Sequence, residues 1–294
     1  MVLNNLASIP FLGVGVPFKD HFLGKLARNL HHIDCFEVKP EHYFKDIKGL
    51  VQELHIIAEQ RPIIAHGLCL SIATASGVRK RHINKLNNFF KHSPDILFLS
   101  EHLGLCSAGG ISIPHFVNIP YTSNMLEVLV RNIDQVQQLL AVPVIYENIP
   151  AEFLYPESEM SEAEFLKQLT TRTGCGLLFD ATNLYANAYN FGWDIDAYLD
   201  VYPIDHIIQV HFNGGKIVKG LYVDSHSEVT PEPIWHILQT VIQRGAPVRA
   251  MILERDDDGA DLDVLVDELS RAKSLLTTYS HYYQSHTNTS HARG

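Results

Sequence analysis

Residues 142–180 read VPVIYENIPAEFLYPESEMSEAEFLKQLTTRTGCGLLFD and contain one complete strand–helix–strand unit. Val142–Glu147 and Gly176–Asp180 are short apolar runs that each stop on an acid. Between them, Glu162–Thr173 carries apolar residues at helical spacing. Ser161 stands where an N-cap is expected and Gly174 where the chain leaves the helix. Apolar runs separated by a helix-length connection predict parallel strands buried on both faces.

The same unit recurs outward in both directions. Strands are predicted at Phe11–Val16, Ile33–Val38, Ile63–His66, Ile96–Leu99, Val142–Glu147, Gly176–Asp180, His206–His211 and Ala250–Glu254. Helices are predicted at Asp20–Leu30, Ile47–Gln60, Lys80–Phe90, Asn124–Leu140, Glu162–Thr173, Asp194–Val201, Pro233–Arg244 and Leu262–Thr278, with Asp194 a second N-cap and Gly245 a second C-cap. Eight such pairs predict an α/β fold, a (β/α)8 TIM barrel, because a right-handed crossover repeated eight times brings the last strand beside the first. No GxGxxG opens a helix, so a doubly wound dinucleotide-binding sheet lacks support. The barrel is expected over residues 1–278, with 279–294, rich in Ser, Thr, Asn and His, as a flexible polar tail. Two connections after strands, Glu101–Ser123 and Phe212–Pro233, are too long for turns and predict a lid or binding surface on the C-terminal face.

Composition removes several classes of function. Lys+Arg 23 against Asp+Glu 33 gives a net charge of −10, and the longest basic run is Arg79–His82, so no nucleic-acid partner is expected. There is no apolar stretch of about 18 residues and no basic, apolar leader, so neither membrane insertion nor export is expected. Cys35, Cys69, Cys106 and Cys175 form no CxxC and read as reduced thiols of a cytoplasmic protein. GxSxG, HExxH and GxxxxGK[ST] are absent, and Asp256–Gly259 lacks the spaced ligands of an EF-hand.

The informative residues stand where the apolar runs stop. His66, His102, Glu147, Asp180, His211 and Glu254 end six consecutive strands, and Asn183, Asp224 and His226 follow in the adjoining loops. Three carboxylates crowded into one barrel mouth repel one another, and bound cations relieve that repulsion. Imidazole and carboxylate donors without thiolate suit Fe, Zn or Mn. Nine donors exceed what one ion uses, so two or three ions are expected, with Glu147 as a bridge. The Asp224-x-His226 spacing puts both side chains on one side of an extended segment.

Nine stretches extend this pattern: FEVKPEHYF (36–44), HGLCLSI (66–72), SEHLG (100–104), IPYT (119–122), YENIP (146–150), LLFDATNLYANAYN (177–190), QVHFNGG (209–215), DSHSEVTPEPIW (224–235) and ILERD (252–256). In these the chain resembles the DUF692 family of multinuclear iron proteins, TIM barrels that include the methanobactin biosynthesis oxygenase subunit. The resemblance implies two or three iron ions, Fe2+/Fe3+, used with O2 to modify a cysteine of a ribosomally made precursor peptide, which a small partner protein presents. It also implies that all nine residues above are metal ligands, with Asp224, His226 and Glu254 among the reacting groups. Glu37 and Glu41 match the family's acidic pair, as supporting or substrate-binding groups. The chain departs where the family's HLAGH is His211-Phe212-Asn213-Gly214-Gly215, where D-x-N-N is Asp180-Ala181-Thr182-Asn183, and where Ser-Ile-Gly-Gly is Ser71-Ile72-Ala73-Thr74. A xylose-isomerase-like or endonuclease-IV-like isomerase or hydrolase using Zn2+ or Mn2+ is the competing expectation, separated by oxygen dependence. A non-enzymatic metal-storage module is the third.

Overall fold

The structure, a computed structural model, describes residues 6–18, 30–45, 47–108, 111–255 and 261–290. Its strands are β1 (Gly13–Pro17), β2 (Cys35–Val38), β3 (Ile63–Gly67), β4 (Ile96–His102), β5 (Leu105–Ala108), β6 (Ile111–Val117), β7 (Val144–Glu147), β8 (Gly176–Asp180), β9 (Ile207–Phe212), β10 (Gly214–Val218), β11 (Leu221–Glu228) and β12 (Ala250–Leu253). Eight of them close a parallel barrel in the order β1-β12-β9-β8-β7-β4-β3-β2. Closure is made by Gly13, Val14 and Gly15 pairing with Ala250, Met251 and Ile252. The expected (β/α)8 architecture is thus present, each barrel strand lying where an apolar run was read. The helix expected at Asp20–Leu30 falls almost wholly outside the described residues.

The helices are α1 (Ile47–Ala58), α2 (Lys80–His92), α3 (Ser123–Leu139), α4 (Glu162–Thr173), α5 (Ala181–Phe191), α6 (Ile195–Val201), α7 (Glu232–Gln243) and α8 (Leu262–Ser290). Ser161 caps α4 by accepting from Glu164 N–H, Asp194 caps α6 by accepting from Ala197 N–H, and Gly174 ends α4 at φ +65°. Gly245, at φ +93°, follows α7 in the same left-handed conformation. Helix α8 runs on past Thr278 to Ser290, and its last buried side chain among those described is Leu276. Among the described residues no helix is long and apolar enough to cross a membrane.

Three elements were not expected. The long connections after β4 and β9 each hold an antiparallel hairpin, β5–β6 and β10–β11. Helix α5 starts directly at the end of β8, with Asp180 as its N-cap.

The barrel interior explains why polar residues collect at one end. Cys35, Ile64, Phe98, Ile145, Leu178, Ile208 and Ile252, from seven strands, pack with Ile9 and Leu12 in one apolar cluster. Side chains on a strand return to the same face every second residue. On six of these strands two positions further along come Glu37, His66, Ser100, Glu147, Asp180 and Glu254; on β9, where the register with β8 shifts, Val210 follows Ile208 and the polar residues are Gln209 and His211. Period-two geometry therefore stacks a polar layer directly on an apolar floor, at the C-terminal face where barrel active sites are built.

Candidate metal centre

His66 and His102 enter the mouth from β3 and β4, and their tautomers follow from their partners. His102 Nδ1 is 3.0 Å from the Gly67 carbonyl, which only accepts, so Nδ1 carries the proton. Gly67 is required there: a Cβ on it would lie 2.5 Å from Glu101 Oε2. His66 Nδ1 is 2.9 Å from Ser100 Oγ, whose hydroxyl donates to the Ala65 carbonyl, so His66 also donates from Nδ1. Both Nε2 lone pairs consequently face Glu147 Oε2, at 3.6 Å from His66 and 3.3 Å from His102. Register supports this, since His102 pairs with Glu147 across β4 and β7. Glu147 Oε2 is buried and has no hydrogen-bond donor. Two imidazole lone pairs and a carboxylate oxygen converging on one point, with no neighbouring donor, form a seat for a cation.

The remaining acids extend the cluster. Asp180 Oδ1 caps α5 by accepting from Asn183 N–H at 2.7 Å, while Oδ2 is buried and unpartnered. One carboxylate thus serves the helix and still has an oxygen free. Asn183 Nδ2 donates to the Asn148 carbonyl at 3.1 Å, leaving its own Oδ1 buried without a donor. His211, opposite Asp180 in the β8–β9 register, lies between two acids: Nε2 is 2.9 Å from Glu37 Oε2 and Nδ1 is 3.1 Å from Glu254 Oε2.

Three groups have donor atoms within 4.8 Å of one another: Glu37, His66 and His211; His66, His102 and Glu147; and Glu147, Asp180 and His211. Glu147, His66 and His211 each belong to two of them, and of the three Glu147 alone is a carboxylate with two oxygens to offer. Asp224, His226 and Glu254 lie in none; they form an adjoining group at the mouth. His226 Nε2 is 2.9 Å from Asp224 Oδ2 and 3.6 Å from Glu254 Oε2. His226 holds a left-handed backbone, φ +51°, a conformation non-glycine residues adopt at some cost.

Electrostatics reflect this crowding. Burial pushes Glu147 up to about 8, against the pull of His102 and His211. Burial and then the Asp224 charge push Asp180 up to about 7. Burial and the neighbouring His102 and His211 lower His66. Burial alone would strip the His211 proton, yet Glu254 and Glu37 raise it well above the usual imidazole range. Burial opposes the Glu254 charge, yet His211 and His226 hold Glu254 well below the usual carboxylate range. Protons here neutralise a pocket of acids, and a divalent cation would displace them.

Several contributors were missed or placed loosely. Glu37 sits inside the donor cluster, whereas Glu41 lies outside it, bracing Leu68 N–H at 3.0 Å and His82 at 3.1 Å. Gln209, unremarked in the sequence, donates to Glu37 Oε2 at 2.5 Å. Asn187 clamps the loop after Glu147 by accepting from Ala151 N–H, and Asn190 holds both backbone groups of Tyr222. The missing second histidine of the His211 motif has a steric reason: a Cβ on Gly215 would lie 2.3 Å from the Val223 carbonyl and 2.7 Å from the Tyr222 ring.

A closed (β/α)8 barrel with imidazoles and carboxylates clustered at its C-terminal mouth falls in the class of TIM-barrel enzymes with a candidate metal centre. The chain belongs to the MbnB/TglH/ChrH family of RiPP precursor modification enzymes, whose model matches residues 13–277. It is 33% identical over 247 residues to a UPF0276 protein of Rhizorhabdus wittichii, covering 84% of this chain and 88% of the relative. A UPF0276 protein of Vibrio vulnificus is 32% identical over 285 residues, 93% of this chain and 94% of the relative. Among solved structures, D-psicose 3-epimerase with D-tagatose from Clostridium cellulolyticum H10 is similar at TM-score 0.53 and 11% identity, covering 91% of this chain and 99% of that one. The 3-keto-D-glucoside 4-epimerase of E. coli gives TM-score 0.54 and 11% identity, over 90% and 99%. At such identity the likeness is one of fold.

Proposed function

We propose that this protein is a multinuclear non-heme iron enzyme that uses O2 to modify a cysteine of a ribosomally synthesised precursor peptide, in the cytoplasm, with a small partner protein presenting the peptide. The observation that carries the reading is the convergence of His66 Nε2, His102 Nε2 and the unpartnered Glu147 Oε2 in a chain of the RiPP-modifying family. His66, His102 and Glu147 would hold one ion, and Glu147, Asp180 and His211 a second. Asn183 Oδ1, Asp224, His226 and Glu254 would complete the set and seat a third at the mouth. Bound iron supplies one-electron chemistry with O2 beside a position open to a substrate thiolate.

The chain's own residues do the rest. Gly67 and Ser100 fix the tautomers of His102 and His66, so both present lone pairs to the centre. Asp224 orients His226 at the mouth, and while no third ion is bound there His226 would serve as the base for an entering thiol. Glu37 and Gln209 hold His211 from below. The apolar floor denies water a second approach.

The test is metal analysis of protein purified without added metal, followed by aerobic and anaerobic turnover of the cysteine-containing peptide encoded beside the gene. Bound iron and oxygen-dependent change in peptide mass are expected. Zinc or manganese with oxygen-independent turnover of a sugar or phosphoester would replace this reading with the isomerase or hydrolase one.

A further inference from the structure

A cavity of about 480 Å3 opens on the barrel rim between the starts of α4 and α6, apart from the donor cluster. Tyr121, Phe153, Tyr155, Trp193 and Tyr198 wall it, an aromatic enclosure of ligand size. Asn118, also in the wall, is 3% exposed. Its Nδ2 donates to the Phe153 carbonyl at 2.7 Å, and its own carbonyl accepts from Tyr155 O–H at 3.0 Å. Asn118 thus braces the wall from behind, its Oδ1 sealed from solvent.

Two further features narrow the occupant. Residues 151–164, which supply much of the wall, contain no Lys or Arg but include the exposed Glu152, Glu157, Glu159 and Glu164, a rim charge that complements a basic ligand. The cavity also adjoins the metal centre through the chain. Asn118 follows by two residues Phe116, which stacks on His102, and Ala151 of the wall follows Glu147 by four. Four extended residues span at most about 14 Å.

We propose that this cavity anchors a large apolar side chain of a basic peptide substrate, with the reacting cysteine four or five residues away. That the occupant is a peptide rests on the function proposed above; the aromatic cavity and its acidic rim do not.

The binding test needs neither metal nor O2. The probe is the cysteine-free peptide acetyl-Lys-Phe-Gly-Ser-Gly-Ser-amide, titrated by calorimetry into the unaltered protein. Trp193 gives a second readout in Trp235→Phe, because the chain has two tryptophans and Trp235 is buried elsewhere. Saturable binding is expected. It should weaken at least tenfold in Ala197→Phe, which fills the cavity from an exposed position, and when the probe's Phe is replaced by Ser. No saturable binding, or equal affinity in Ala197→Phe, overturns the proposal. So does free indole binding as tightly as the peptide, which would mark a small-molecule site. With the gene-neighbour cysteine peptide and iron-loaded protein, Ala197→Phe should raise KM about tenfold with kcat retained; an unchanged KM overturns the anchor while leaving the peptide chemistry standing. Probe binding without oxygen-dependent turnover retains the anchor and removes the chemistry.

Discussion

Phe116 lies flat on the imidazole of His102, with ring centroids 3.7 Å apart and planes 17° from parallel. The hairpin that brings Phe116 there is pinned by Ser71, at φ +55°, whose Oγ accepts from the N–H groups of Cys106 and Ser107 at 3.0 Å each. The stack and the Gly67 carbonyl together hold the ring in one orientation. Phe116→Ala should weaken iron binding about tenfold, the usual effect of removing a support behind a ligand. Chelator competition on the folded variant measures it; unchanged affinity would show that the Gly67 contact suffices.

Glu147 shares two donor groups, as His66 and His211 do, but it alone of the three brings a carboxylate charge and two oxygens, so its loss should remove more metal than loss of any terminal donor. Glu147→Gln keeps the shape and removes the charge, and at least one ion and all turnover should be lost with circular dichroism unchanged. Asp224→Asn and His226→Ala, at the mouth, should lose less total metal. Elemental analysis gives the ranking, and full occupancy in Glu147→Gln would sink the bridge.

The eight barrel strands were legible because each is an apolar run between helical patterns, and the polar strand ends were legible because they break those runs. Glu37 and Gln209 were harder. They lie inside runs, as CFEV and IIQVHF, where a polar residue facing the barrel interior reads as an interruption and not as an end. Helix α5 escaped notice because ATNLYANAYNF carries three asparagines, poor helix formers that are tolerated here since each bonds backbone of a neighbouring loop. The two hairpins pair only with themselves and line the mouth, so neither shows the apolar continuity of a barrel strand.

Glu162 should make stability fall with rising pH. It is 4% exposed and receives the hydroxyls of Tyr121 at 2.9 Å and Tyr198 at 3.1 Å, yet burial pushes it up to about 7. A carboxyl raised in the folded state binds more protons folded than unfolded between its ordinary value and about 7. Its contribution is therefore most favourable at acid pH and is lost as pH climbs through that window. Glu162→Gln should flatten this part of the Tm–pH curve and raise stability at pH 8 by about 3 kcal/mol. A parallel curve for the variant would show that the group titrates normally.

Glu268 joins three elements. It accepts from Arg255 at 3.0 Å and from Thr230 N–H at 2.8 Å, with both charged side chains nearly sealed from solvent. Glu268→Ala leaves a guanidinium and an amide buried without that partner, and should cost about 3 kcal/mol, roughly 5 °C in Tm. Arg255 follows Glu254 directly, so metal affinity should fall as well. A Tm within about 1 °C of the parent by scanning calorimetry, about 0.6 kcal/mol, would mean water replaces the carboxylate.

The plug formed by Ile64, Phe98, Ile145, Leu178 and Ile252, backed by Ile9 and Leu12, makes the mouth a cul-de-sac. Whatever enters must leave by the same door. If the proposed function holds, a modified peptide still seated there blocks the next one, so product should inhibit competitively against peptide in initial-rate measurements; non-competitive inhibition would mean a second way in.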